Sequence, residues 1–141
     1  MKLELDVWPL VLEALSFGKM VSLPRYLPGN RIYEAAMITD LGKDLRAGKL
    51  AIREPEDHCV AISLKQLDLI LVPGVAFDRD GRRLGRGKGF YDRLLSPVTG
   101  IKCGVGFDFQ VREQLPEEPH DVRLDCIMTP TRWLIAGCET V

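Results

Sequence analysis

The chain has 141 residues, and its 19 lysines and arginines against 20 aspartates and glutamates give a formal net charge of −1. That length fits one domain able to bury most of its unfolded surface, and the charge balance argues against a molecule built as a whole around nucleic acid or an acidic membrane. No apolar run approaches the roughly 20 residues needed to span a bilayer, and Met1-Lys-Leu-Glu-Leu-Asp6 does not read as a secretory leader.

Pro9 suits a first helical turn, and Leu10, Val11, Ala14 and Leu15 recur at helical spacing up to Gly18, which is placed to end the helix. Met20 to Leu23 reads as a strand closed by Pro24, residues 25–34 as a loop, and Ala35 to Thr39 as a weak strand. Leu41 to Leu50 reads as a connector, and residues 53–66 as polar with an apolar island at Val60 to Ile62. Leu69 to Val72, bounded by Pro73-Gly74, is too short for a typical helix and reads as a buried strand. Asp78-Arg-Asp-Gly81 is a turn, and a helix is predicted from about Gly89 to Leu95, stopped by Ser96-Pro97. Lys102 to Phe107 reads as a glycine-rich core strand, Phe109 to Leu115 as a helix, and Cys126 to Met128 as a short strand. Trp133 to Ala136 is an apolar end suited to an edge strand or to packing on the core; Trp8 and Trp133 are expected as core or interface residues. The repeated helix-then-strand order predicts an α/β fold, a single layered domain over residues 1–141 with an open, mainly parallel sheet flanked by helices.

Cys59, Cys103, Cys126 and Cys138 form no C-x-x-C pair and have no metal-site spacing. The expectation is reduced thiols in a cytoplasmic protein, used as small apolar core residues.

Chemistry concentrates between residues 82 and 92. Gly85, Gly87 and Gly89 alternate with Arg86 and Lys88, and Arg82 and Arg83 stand just upstream. Glycines leave backbone N–H groups open to a ligand, and a helix start adds unpaired donors of its own. Four cationic side chains within seven residues then suit a strongly anionic group, most simply a nucleotide phosphate. Asp92 follows, where a carboxylate can hold a divalent cation bridging phosphate oxygens. The spacing is neither that of a Walker A loop nor that of a dinucleotide fingerprint. The opposing reading of the same residues is a solvated basic loop. Asp78 and Asp80 are expected as turn-formers.

The segment from Pro73-Gly-Val-Ala-Phe-Asp78 through Arg83-Leu-Gly-Arg-Gly-Lys-Gly-Phe-Tyr-Asp92 resembles the signature of the 5-formyltetrahydrofolate cyclo-ligases. Gly18-Lys-Met-Val-Ser-Leu-Pro-Arg25, Ile52-Arg-Glu-Pro55 and Pro119-His-Asp-Val-Arg-Leu-Asp125 resemble further landmarks of that family, in the expected order. The resemblance implies ATP and Mg²⁺ as cofactors and a reduced folate as substrate, closed to 5,10-methenyltetrahydrofolate. It implies an ATP loop of Arg83, Leu84, Gly85, Arg86, Gly87, Lys88, Gly89, Phe90 and Tyr91. Arg86, Lys88 and Tyr91 take the catalytic roles, and Asp6, Arg86, Gly87, Lys88, Gly89 and Phe90 face the folate. Asp92 and Asp121 match the Mg²⁺ ligands.

Phe90 stands where many relatives have a tyrosine, so a hydroxyl is lost. Family members also carry, ahead of this point, a basic helical segment and a first strand. By that measure the chain is a shortened member, a fragment, or the product of a mis-set start codon. A catalytically impaired member that binds a nucleotide or phosphometabolite is the alternative function. A third reading, an RNA-binding basic patch, suits the slightly negative charge poorly. A monomer and a weak homo-oligomer both stay open.

Overall fold

In the computed structural model, residues 4–48, 52–87 and 89–138 are described. The chain resolves into two compact units, one of residues 6–64 and one of residues 1–5 with 65–141. The fold is α/β with mixed sheets and few helices.

In the unit of residues 6–64, helix α1 (Trp8–Ser16) opens with the Trp8 N–H donating to the Asp6 carboxylate at 3.0 Å. It ends at Gly18, which is left-handed at φ 70, and there Gly18 and Lys19 N–H groups donate to Leu15 and Ala14 carbonyls. Strand β1 (Val21–Leu27) pairs antiparallel with β2 (Ile32–Ile38), and β2 with β5 (Ala61–Ile62). The expected stop at Pro24 and the expected loop over 25–34 are therefore corrected. Pro24 pairs with Ala35 inside β1, an edge strand, where the missing N–H leaves no ladder bond unmade. Strands β3 (Leu45–Ala47) and β4 (Arg53–Pro55) form a separate antiparallel pair. Val11, Ala36, Ile38 and Cys59 make the core of this unit, with Trp8 and Leu15 against it.

The second unit holds a four-stranded sheet in the order β12-β11-β9-β6. Strands β6 (Leu69–Pro73), β9 (Ile101–Val105) and β11 (Cys126–Met128) are parallel, and β12 (Trp133–Ile135) is an antiparallel edge. A second sheet sets β7 (Ala76–Asp78) between antiparallel β8 (Arg83–Leu84) and parallel β10 (Val111–Arg112). Parallel pairing is thus confined to part of this unit. Helix α2 (Phe90–Leu95) sends Leu95 into a cluster with Val72, Phe77, Leu124, Ile127 and Leu134.

The helix expected over 109–115 is absent: a 3₁₀ turn, Asp108–Gln110, runs straight into β10. Gln110 is the cause. Its buried side chain accepts from the Phe107 N–H and donates to the Gly74 and Val75 carbonyls, fixing an extended exit. Trp133 is 59% exposed on edge strand β12, which bears out the edge-strand alternative and excludes a core position, and Cys138 is exposed while the other three cysteines are buried, which corrects its core expectation. Among the described residues, no helix is long and apolar enough to cross a membrane.

Candidate active site

The phosphate-loop candidate hangs from β7, whose three residues are all buried. Asp78 ends the strand fully buried and organises the next turn. Its Oδ1 accepts the Asp80 and Arg82 N–H groups, and its Oδ2 accepts the Leu115 N–H and the Arg82 guanidinium. Gly81 is left-handed, and a Cβ there would lie 2.2 Å from the Leu124 carbonyl oxygen. Only glycine allows that approach, and the Gly81 carbonyl returns a hydrogen bond from the Leu124 N–H at 2.8 Å. The 117–124 loop is thereby held beside the turn.

Strand β8 then delivers Arg83. Its side chain is only 5% exposed, with Nη2 3.6 Å from Asp92 Oδ1 and Cζ 5.0 Å from the Tyr91 ring centroid. A Cβ at Gly85 would lie 2.8 Å from Arg83 Nη1, so the guanidinium lies close against the glycine loop. Its Nε is buried with no hydrogen-bond partner among the described residues. A buried donor left unmade costs about 1–3 kcal/mol, and the long ion pair offsets little of it. Arg83 is thus a buried cation with one long ion pair and an unused donor.

Gly87 and Gly89 are both left-handed, at φ 81 and 61, and Gly89 leads into α2. Leu84 pairs with Ala76. Phe90 is partly exposed beneath the Arg93 guanidinium, and Tyr91 packs on the core cluster. Arg86 is exposed, 3.4 Å from Glu4. Lys88 lies outside the described residues. Asp6 sits in the other unit, where its carboxylate receives the Trp8 N–H.

Asp92 reaches the 117–124 loop, its Oδ1 accepting the Val122 N–H at 3.4 Å. Next to Val122, Asp121 accepts the Glu118 N–H at 2.7 Å, and Glu118, His120 and Asp121 each offer a ligand atom within 4.8 Å of the others. Asp92 is not one of those three, its link to the loop being the Val122 N–H; hard carboxylate oxygens such as these are of the kind that Mg²⁺ takes. Glu118 as a neighbour of Asp121 was missed in the sequence; only its three-residue spacing could have signalled it.

Arg82 belongs to the scaffold. It lies 2.7 Å from Asp80, 3.1 Å from Asp78 and 3.2 Å from Glu117, so its count among anion-binding cations is corrected. Arg25 is likewise structural: it is buried and bonded to Glu34 and to the Glu56 and Cys59 carbonyls.

Bonds from Arg123 and then Arg82 push the Glu117 carboxyl down from 4.5 to about 2. A depressed folded-state value contributes stability that is present above pH 4.5 and lost as pH falls through about 2. Glu117→Gln should therefore flatten the loss of stability between those two values, read from urea midpoints across the acid range.

The fold and site together define an α/β protein with an arginine-backed glycine loop beside two carboxylate-bearing segments. The sequence matches the 5-formyltetrahydrofolate cyclo-ligase family over residues 1–130. It is 37% identical over 136 residues to the 5-formyltetrahydrofolate cyclo-ligase of Escherichia coli K12, covering 92% of this chain and 73% of that enzyme. It is 41% identical over 95 residues to that of Mycolicibacterium smegmatis, covering 65% of this chain and 49% of the relative. The NMR structure of Aquifex aeolicus 5,10-methenyltetrahydrofolate synthetase superimposes with a TM-score of 0.84 at 37% identity, over 100% of this chain and 70% of that one. The chain belongs to the 5-formyltetrahydrofolate cyclo-ligase family, a family of ligases that form a carbon–nitrogen bond. It spans about half the length of the M. smegmatis relative and about three quarters of the E. coli one.

Proposed function

We propose that residues 1–141 act as one cytoplasmic α/β domain, layered on its parallel strands, that uses ATP to cyclise 5-formyltetrahydrofolate to 5,10-methenyltetrahydrofolate, releasing ADP and phosphate. The observation that carries the reading is the Arg83 guanidinium, buried against the glycine loop with no partner for its Nε among the described residues and a loose 3.6 Å pairing to Asp92. Family membership supplies the substrate class.

The formyl oxygen of an amide-like group is a poor leaving group. In this reading that oxygen attacks the γ-phosphorus of ATP and ADP departs. The neighbouring folate nitrogen then attacks the activated carbon, phosphate leaves with the former formyl oxygen, and the nitrogen loses its proton. Such a transfer needs positioning and charge neutralisation rather than a covalent nucleophile. Gly85 to Gly89 offer backbone donors, Arg86 and Lys88 reach the transferred group, and Phe90 and Tyr91 line the junction of nucleotide and folate. Asp92 and Asp121 would hold Mg²⁺, which when bound neutralises phosphate charge. With Asp92 holding the cation, the Arg83 guanidinium would be the group left to pair with a phosphate oxygen.

Mixing the purified chain with 5-formyltetrahydrofolate and MgATP should raise the near-ultraviolet absorbance of the methenyl product. MgATP binding without product would favour the nucleotide-binding alternative; neither binding nor product would defeat both readings.

A further inference from the structure

We propose that Asp44, His58 and Cys59 form a second metal site, for a divalent transition-metal ion of the zinc type, between the loop after β2 and the turn before β5. His58 Nε2 lies 2.9 Å from Asp44 Oδ1, and Cys59 Sγ lies 3.5 Å from the Asp44 carbonyl oxygen. One ligand atom from each side chain falls within 4.8 Å of the others. All three residues belong to the unit of residues 6–64, whereas the proposed ATP loop of residues 83–92 belongs to the other unit.

The surroundings explain why these atoms converge. Asp44 Oδ2 accepts the Thr39 N–H at 2.6 Å, the Asp40 N–H at 2.9 Å and the Thr39 hydroxyl at 3.0 Å. The carboxylate is thus clamped by its own loop, with Oδ1 left facing His58. Opposite, the Cys59 N–H donates to the Glu56 carbonyl at 3.1 Å, and the Glu56 N–H to the Asp44 carbonyl at 2.8 Å, which brings the two segments together.

The donor set selects the ion. One sulfur, one imidazole nitrogen and one carboxylate oxygen is a mixed set that suits zinc, whereas Mg²⁺ and Ca²⁺ prefer oxygen alone. Asp44 and Cys59 are buried while His58 is exposed. The ion therefore enters from the His58 side and keeps water in its fourth position. Binding converts the Cys59 thiol to a thiolate and releases one proton, and the Asp44–His58 hydrogen bond gives way to two metal bonds. The bound ion ties the 39–44 loop to the 56–59 turn, whose carbonyls receive Arg25. Its role is a staple on a unit whose buried cluster is small.

The test uses the full chain, stripped by chelation and titrated with Co²⁺ alone. One equivalent should give the visible spectrum of a tetrahedral ion and a thiolate charge-transfer band. Cys59→Ser should remove that band, Cys138→Ser should keep it, and His58→Ala should weaken Zn²⁺ affinity at least about tenfold, the lower end of what even outer-shell partners contribute. Asp92→Asn, whatever it does to the proposed Mg²⁺ site, should leave the thiolate charge-transfer band unchanged, so loss of the ATP site and loss of this one are distinguishable. If Cys59→Ser fails to fold, a rise in the wild-type unfolding temperature with Zn²⁺, absent in His58→Gln, decides the matter in its place. A purely octahedral aqueous spectrum, or a band that follows Cys138, overturns the proposal.

Discussion

Asp92→Asn should fold as the wild type does and lose at least about a hundredfold in turnover. Asparagine keeps the shape of the side chain and an oxygen to accept the Val122 N–H, whose bond at 3.4 Å is already weak. What disappears is a negative charge 3.6 Å from a buried guanidinium and beside the loop that carries Asp121. Removing one preorganised charge-stabilising group from a polar transition state costs about 10²–10³ in rate. A ligand of a phosphate-bridging cation belongs in that class. The initial rate of methenyl product formation at saturating MgATP measures it, with circular dichroism as the control on folding. Full turnover in a folded Asp92→Asn chain would remove Asp92 from the metal site.

Asp78→Ala should be the most damaging single change to stability in the unit of residues 65–141. Asp78 is fully buried and serves three backbone N–H groups, from Asp80, Arg82 and Leu115, in addition to the Arg82 guanidinium. Alanine strands all of these at once. Breaking a buried charge pair by removing one partner costs about 3–5 kcal/mol, against a total of about 5–15 kcal/mol for a typical domain. Asn should recover part of the loss because one acceptor oxygen survives. Urea midpoints for wild type, Asp78→Asn and Asp78→Ala should fall in that order. Since the turn also sets the direction of β8 and hence of Arg83, the alanine variant should bind MgATP poorly even where it remains folded.

The elements read correctly from the sequence are those whose signal is local. Leu69 to Val72, Cys126 to Met128 and the α2 segment are short apolar runs punctuated by proline, glycine or serine, and each forms close to its expected bounds. The turn at Asp78 to Gly81 was legible for the same reason: Asp and Gly carry the chemistry of the turn in themselves.

The misreadings share a different cause. Phe109 to Leu115 has helical spacing, yet Gln110 is claimed by carbonyls 35 and 36 residues away, and tertiary bonding overrides periodicity. Pro24 looks like a strand terminator unless the strand is known to be an edge. Arg82 counted as a phosphate ligand although Asp78 and Asp80, two of its three acidic partners, lie within four residues of it; only Glu117 is distant, 35 residues on. Charge density in a window reports cations, and folding decides which of them stay available. Arg83 shows the reverse: its burial and unbonded Nε mark it out more sharply than its place in a basic run.

The central claim is that the backbone from Arg83 to Asp92, with the loop carrying Asp121, receives a triphosphate and its metal. Paramagnetic broadening of amide resonances by the manganese complex of ATP tests it most directly. The account predicts broadening concentrated at Gly85, Gly87, Gly89 and Asp92 and at Glu118, His120, Asp121 and Val122, reversed by excess MgATP. Broadening that spares these amides, or that gathers at some other face of the chain, would contradict it.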